Sequence, residues 1–227
     1  MKETDLAQPT IDYLESRNWD VYQEVPCGSG LADIVATLDE KIWVVELKKS
    51  LSLQLLDQAI DRCARVHYVS IGIPYRNMNT KHYYAVETIL NHFGIGVFMV
   101  GASGCSEKRK PRLNEHPFRC ELEKMLNALH PKMKQNKAGS LPGNNWTPWK
   151  EWKKNVEKVV AENPGITPKQ MVINLESIVP YSKPENAANA AVRYARNGLI
   201  GRVRVAKENN RLRLYPREAI KTRSKGM

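Results

Sequence analysis

The stretch Leu31-Ala-Asp33-Ile34-Val35-Ala-Thr-Leu38-Asp39-Glu40-Lys-Ile42-Trp43-Val44-Val45-Glu46-Leu47-Lys48 sets two carboxylates and an ammonium into otherwise apolar, β-type sequence. Ile34 to Leu38 and Ile42 to Leu47 are rich in β-branched residues and are separated by polar Asp39-Glu40, so they read as two strands of a hairpin. With a two-residue loop, position i pairs with 79 minus i, which puts Asp33 across from Glu46. Their Cβ atoms would then be about 4.5 to 5.5 Å apart. Lys48 follows Glu46 by two residues and shares its face, while Leu47 points to the other. Asp-Glu is a poor type I′ turn, and a slip of one residue would separate the pair.

Carboxylates opposed across a strand pair repel unless something positive lies between them, and the neighbours here are Ile34, Val35, Trp43, Val44 and Val45. Two arrangements answer that repulsion. One is a divalent cation: Mg²⁺ takes hard oxygen ligands, keeps several waters and binds through one or two carboxylates plus phosphate oxygens, and Mn²⁺ suits the same ligands. Lys48 beside it could orient or deprotonate an attacking water, or neutralise charge on a phosphate. That is the chemistry of metal-dependent phosphodiester hydrolysis. The other arrangement is an Asp33/Glu46/Lys48 ion-pair cluster at a sheet edge.

Working outward, Leu6, Ile11, Tyr13 and Leu14 give a first helix interrupted near Pro9, followed by a strand over Trp19 to Val25 and a loop at Cys27 to Gly30. Leu53, Leu56, Ile60 and Ala64 recur at helical spacing, with Leu55, Ala59 and Cys63 broadening the stripe. Gln54, Gln58, Asp61, Arg62 and Arg65 then fall on the polar side. His67 to Ile73 reads as a strand, His82 to Phe93 as a helix and Gly96 to Val100 as a strand. The expected fold class is α/β, a mixed sheet flanked by helices.

At Asp33 and Glu46-Leu-Lys48 the chain resembles the PD-(D/E)XK nuclease superfamily, whose pattern is an Asp on one strand and Glu-x-Lys on the next; Ala32-Asp33 stands where the family has Pro-Asp. The resemblance runs from Glu3 to Pro74, through Glu3-Thr-Asp-Leu6, Tyr13 to Val25, Val44 to Lys48 and Leu55 to Arg62. Over that third of the chain it looks like an uncharacterised bacterial family of PD-(D/E)XK phosphodiesterases with no assigned substrate. The resemblance implies a metal held by Asp33 and Glu46 with a first-helix glutamate, Glu3 or its rival Glu15. It also implies catalytic assistance from Lys48 and from Gln58 on the following helix.

Charge divides the chain. Residues 1–130 hold 15 Lys+Arg against 17 Asp+Glu, and residues 131–227 hold 20 against 7. A half with a net of +13 suits sequence-independent, salt-dependent capture of nucleic acid. The expected boundary is a basic linker over 131–145, where Lys132, Lys134, Lys137, Gly139, Pro142 and Gly143 leave no apolar period. Beyond it, Trp149, Trp152, Val156, Val159 and Val160 mark one helix. Thr167-Pro168 caps a second that runs through Met171, Val172 and Leu175, and a third spans Pro184 to Asn197-Gly198. Arg202 to Ala206 and Arg211 to Tyr215 alternate around Glu208-Asn-Asn210 as a hairpin.

Three helices and a hairpin resemble a winged helix-turn-helix domain, expected over 146–227. Ala188, Ala191, Val192, Ala195 and Leu199 of the third helix would face inward, leaving Asn186, Asn189, Arg193 and Arg196 for base edges and phosphates. Lys207, Arg211 and Arg213 would lie on the wing. A helical protein-interaction module with a solvated basic face accommodates the same pattern.

Cys27, Cys63, Cys105 and Cys120 form no CxxC pair, and the five histidines show no zinc-ligand spacing. No signal-peptide core, membrane span or P-loop is present in the sequence. The expectation is a cytoplasmic, bacterial or phage-encoded, Mg²⁺-dependent endodeoxyribonuclease over residues 1–130 that acts on duplex DNA captured by the basic half. A homodimer or a larger nucleoprotein complex is compatible with it. Nuclease followed by winged helix resembles the nuclease subunit of certain heteromeric transposases; restriction-like and phage or defence nucleases fit equally. The alternative is a non-catalytic DNA-binding regulator or assembly protein on a nuclease scaffold.

Overall fold

A computed structural model describes residues 2–28, 30–75, 83–101, 103–140, 143, 145–178 and 180–217. The chain forms two compact units, Met1–Asn145 and Trp146–Met227.

The first unit is α/β. Helix α1 (Thr4–Glu15) precedes the strands β1 (Asp20–Cys27), β2 (Gly30–Leu38) and β3 (Lys41–Leu47), and α2 (Leu53–Cys63), β4 (Tyr68–Pro74), α3 (Tyr83–Phe93), β5 (Gly96–Gly101) and β6 (Gly104–Arg109) follow. The six strands lie side by side in chain order. The pairs β1–β2, β2–β3 and β5–β6 are antiparallel, while β3–β4 and β4–β5 are parallel and are crossed by α2 and α3. The register of β2 on β3 runs Ile34↔Val45, Val35↔Val44, Ala36↔Trp43, Thr37↔Ile42 and Leu38↔Lys41, the pairing expected from the loop. Only Asp39 of the two loop residues takes positive φ (48°), so the turn is not type I′, yet the register holds. Its apolar pattern explains why: Ile34, Ala36, Trp43, Val45 and Leu47 pack against Leu6, Ala7, Ile11 and Leu14 of α1, and a slip would turn them away from that helix.

Several expectations need correction. Helix α1 runs through Pro9 without a break. The carbonyl that loses its donor belongs to Asp5, an exposed residue that water can serve. On α2, Leu53 is 82% exposed, and Arg62, expected on the solvated side, is 4% exposed. The helix expected from His82 starts at Tyr83; His82 lies outside the described residues. Strand β6 and the helix α4 (Arg119–Ala128) were not anticipated. Nor is 131–145 a linker between units. It begins with a 3₁₀ helix (Pro131–Gln135), buries Met133 and Ala138, and belongs to the first unit; Pro142 lies outside the described residues. The division at Asn145 leaves the first unit with 18 Lys+Arg against 17 Asp+Glu and the second with 17 against 7.

The second unit contains α5 (Pro148–Glu162), α6 (Pro168–Ile173), α7 (Pro184–Arg196) and a hairpin of β7 (Val203–Glu208) with β8 (Arg211–Pro216). Thr167 and Gln170 form a capping box at α6. Asn209 and Asn210, both at positive φ (45° and 63°), make the two-residue hairpin loop, conformations that Asn tolerates. Trp152, Val156, Val160, Met171, Ala191, Val203 and Leu214 share one core. Helix α7 is buried at Ala187, Ala188, Ala190, Ala191, Val192 and Ala195, and Leu199, expected inside, is 49% exposed. Gly198 turns the chain at φ 75°, and Ile200 enters the core instead.

Candidate active site

Asp33 follows the register that Ile34↔Val45 sets and falls opposite Glu46, the penultimate residue of β3. Each carboxylate has a partner outside the pair. Asp33 Oδ2 accepts the Leu47 N–H at 2.7 Å, and Glu46 Oε1 accepts from Arg62 Nε at 2.9 Å. Arg62 commits all three of its nitrogens: it also donates to the carbonyls of Cys27 (3.0 Å) and Leu31 (3.3 Å) and to Asp61 (2.8 Å). Burial, and then the Asp33 charge, push the Glu46 carboxyl up to about 7 against the opposing pull of Arg62 and Lys48. Burial likewise raises Asp33, against the Leu47 N–H and Lys48.

Lys48 leaves the end of β3 with its N–H on the Gly72 carbonyl, and its Nζ lies 3.5 Å from Glu3 Oε2. Glu3 therefore reaches this cluster from the start of α1. Glu15, at the other end of that helix and exposed, is about 18 Å away along the axis at 1.5 Å per residue. Gln58 lies one helical turn before Arg62, on the α2 face that Arg62 lays against Glu46, and its Oε1 is buried without a hydrogen-bond partner.

A fourth carboxylate was missed by the sequence reading. Glu24 stands opposite Asp33 in the β1–β2 register, between the pairs Gln23↔Ile34 and Val25↔Ala32. Its φ of 56° is left-handed, unusual for a side-chain-bearing residue inside a strand. Burial raises its carboxyl against the Gly139 N–H, and the charges of Asp33 and Lys48 act on it from opposite directions. The signal that could have found it was the register itself: the pairing that starts at Cys27↔Gly30 places position i of β1 opposite 57 minus i.

Glu3, Glu24, Asp33 and Glu46 thus gather around Lys48 and Arg62; with Asp61, which Arg62 shares with Arg65, carboxyl groups still outnumber cations by five to three. Among the described residues no three His, Cys, Asp or Glu side chains close into a ready-made metal cage. Mg²⁺ needs none, since it is commonly held by one or two carboxylates with waters and phosphate oxygens completing its octahedron. Asp33 and Glu46 fit that donor set.

In the second unit, Asn186, Asn189, Arg193 and Arg196 form an exposed stripe along α7, opposite its buried alanines. Arg193 bonds the Tyr194 hydroxyl at 3.0 Å. Lys207 and Arg211 are exposed on the hairpin, whereas the Arg213 guanidinium is tied to the Gly165 carbonyl at 2.9 Å. All four cysteines are free thiols, and no helix among the described residues is long and apolar enough to cross a membrane.

No known family profile and no curated protein matches this chain. Among solved structures, a protein of unknown function from Silicibacter pomeroyi is similar at a TM-score of 0.43 and 14% identity, over 54% of this chain and 79% of that one.

Proposed function

We propose that the chain is a divalent-metal-dependent endodeoxyribonuclease of PD-(D/E)XK type, with phosphodiester hydrolysis in the first unit and DNA capture by a winged-helix second unit. The observation that carries this reading is the charge imbalance around Asp33 and Glu46. Carboxyl groups outnumber cations there, and burial with the Asp33 charge pushes Glu46 up to about 7, so the two carboxyl groups are held together against their mutual repulsion. Buried groups left in that condition cost stability, and such costs concentrate where chemistry is done. Asp33 and Glu46 would hold Mg²⁺ or Mn²⁺, with Glu3 joined to the set through Lys48. The metal, when bound, supplies Lewis-acid stabilisation of charge on the scissile phosphate. Lys48, 25% exposed at the strand end, would orient a water and offset charge on a phosphate oxygen. Gln58, with its buried amide oxygen unpaired, would orient Lys48 or that water.

For the second unit, the support is the exposed Asn/Arg stripe of α7, the cations of the hairpin, and a short bridge of Ile166 to Leu214 that adds a third extended segment beside β8. Its 17 Lys+Arg against 7 Asp+Glu suit duplex DNA. Four free thiols suit a reducing, cytoplasmic setting.

One observation favours a second reading. Arg62 already gives Glu46 a counter-ion at 2.9 Å, as a DNA-binding regulator on a nuclease scaffold would require. Plasmid nicking by the full chain with and without Mg²⁺ separates the two. The nuclease reading expects metal-dependent cleavage that Asp33→Ala and Glu46→Ala abolish while DNA binding survives; undiminished cleavage by either folded variant, or none by the wild type, overturns it.

A further inference from the structure

The segment after the 3₁₀ helix is fastened to the strand that carries Glu24. Gln23 uses both ends of its amide, donating from Nε2 to the Lys134 carbonyl and accepting the Ala138 N–H at Oε1, each at 3.0 Å. Its backbone carbonyl accepts from Asn136 Nδ2 at 3.2 Å. One residue on, Glu24 Oε1 accepts the Gly139 N–H at 2.9 Å. Gly139 in turn lies against the beginning of α1: a Cβ there would stand 2.9 Å from Glu3 Cβ and 3.3 Å from the Glu3 carbonyl carbon. Its φ of 69° is also one that side chains disfavour. The backbone at Gly139 is therefore wedged between the Glu24 carboxylate, which it bonds, and the Cβ and backbone of Glu3 at the start of α1.

Glu3 needs such support. It precedes the first turn of its helix and makes no side-chain cap bond that would hold it there. Its contact with Lys48 is a partly exposed ion pair at 3.5 Å, too weak to order two long side chains by itself. We propose that Lys134–Gly139 is a wall of the carboxylate site, in which Glu24 and Gly139 are positioning residues that hold Glu3 against Lys48. The geometry stands by itself, and the consequence for metal binding rests on the nuclease reading above.

The test uses the full chain. Gly139→Ala and Glu24→Ala should speed backbone amide exchange about tenfold over both 136–140 and 2–6, which lie far apart in sequence. Glu24→Gln, whose amide oxygen still accepts the Gly139 N–H, should keep that protection. If Gly139→Ala does not fold, Gly139→Asn tolerates positive φ and still presses on Glu3, so strain and contact are separated. Gly139→Ala should also weaken Mn²⁺ binding about tenfold, the usual scale for a group supporting a metal ligand. In a Glu3→Ala background it should add nothing, since it acts through Glu3. Unchanged exchange over 2–6, or additive losses in the double variant, overturn the proposal. A wild-type chain that binds no Mn²⁺ removes the nuclease reading and leaves the exchange measurement to decide the wall.

Discussion

In the first unit the decisive charges are buried among strands: Glu46 is 1% exposed and rests on an Arg62 that is 4% exposed. In the second unit Asn186, Asn189, Arg193, Arg196, Lys207 and Arg211 stand in solvent on the far side of an alanine-lined helix and a hairpin. The exposed set leaves the fold nearly indifferent to its identity, because solvated side chains away from caps and cores contribute little to stability. The buried set is the opposite, since every carboxyl there must be matched by a cation, a donor or a proton. On the proposed reading, the first unit would keep its function at a cost to its fold, and the second would carry its own almost free of the fold.

The sharpest way to break that contrast is at Arg62. Replacing it with Met strands Glu46 in an apolar layer, and removing one partner of a buried pair costs about 3–5 kcal/mol. Urea unfolding of Arg62→Met should show a loss of that size, and Arg62→Met combined with Glu46→Leu should recover most of it. An equally unstable double variant would mean that Arg62 serves mainly through its bonds to Cys27 and Leu31. Next in size is Lys48→Ala, for which single-turnover cleavage should fall about 10²-fold, the scale for a positioned acid/base group, with DNA affinity little changed. Gln58→Ala should be milder.

The pH response follows from the carboxyl that burial raises. An unfolded Glu titrates at 4.5 and Glu46 in the fold at about 7, so between these values the native state holds the extra proton. Stability of the metal-free protein should therefore fall as pH rises from 4.5 through 7, by on the order of a few kcal/mol at most. Glu46→Gln should flatten the melting temperature across that window. A metal-free melting temperature that instead climbs toward pH 8 would contradict the assigned burial. The smallest effect belongs to the second unit. Lys207→Ala should leave the melting temperature unchanged and reduce the slope of log K against log salt by about one. Arg193→Ala or Asn189→Ala should matter most at a preferred sequence, if there is one.

Legibility in the sequence followed the same divide. The α7 stripe could be read because an exposed face is a local property of a 3.6-residue period, and the β2–β3 register because two β-branched runs flank a two-residue loop. Arg62 could not, since a helical wheel assigns arginine to water unless a distant carboxylate, here 16 residues away, claims it. The wall at 134–139 is held by Gln23 and Glu24 across more than a hundred residues, through backbone groups with no side-chain pattern. Strand β6 alternates only weakly between half-buried and exposed positions, and α4 buries a single methionine, so neither leaves much periodicity to read.

If the excess of carboxylate around Lys48 and Arg62 is there to be met by a divalent cation, thermal unfolding of the full chain at pH 7.5, titrated with Mn²⁺ and paired with calorimetric binding, should reveal it. Binding should saturate with a matching rise in melting temperature, both lost in Asp33→Ala and in Glu46→Ala. No binding by the wild type, or binding that survives both substitutions, would contradict it and leave Glu46 and Arg62 as a structural ion pair.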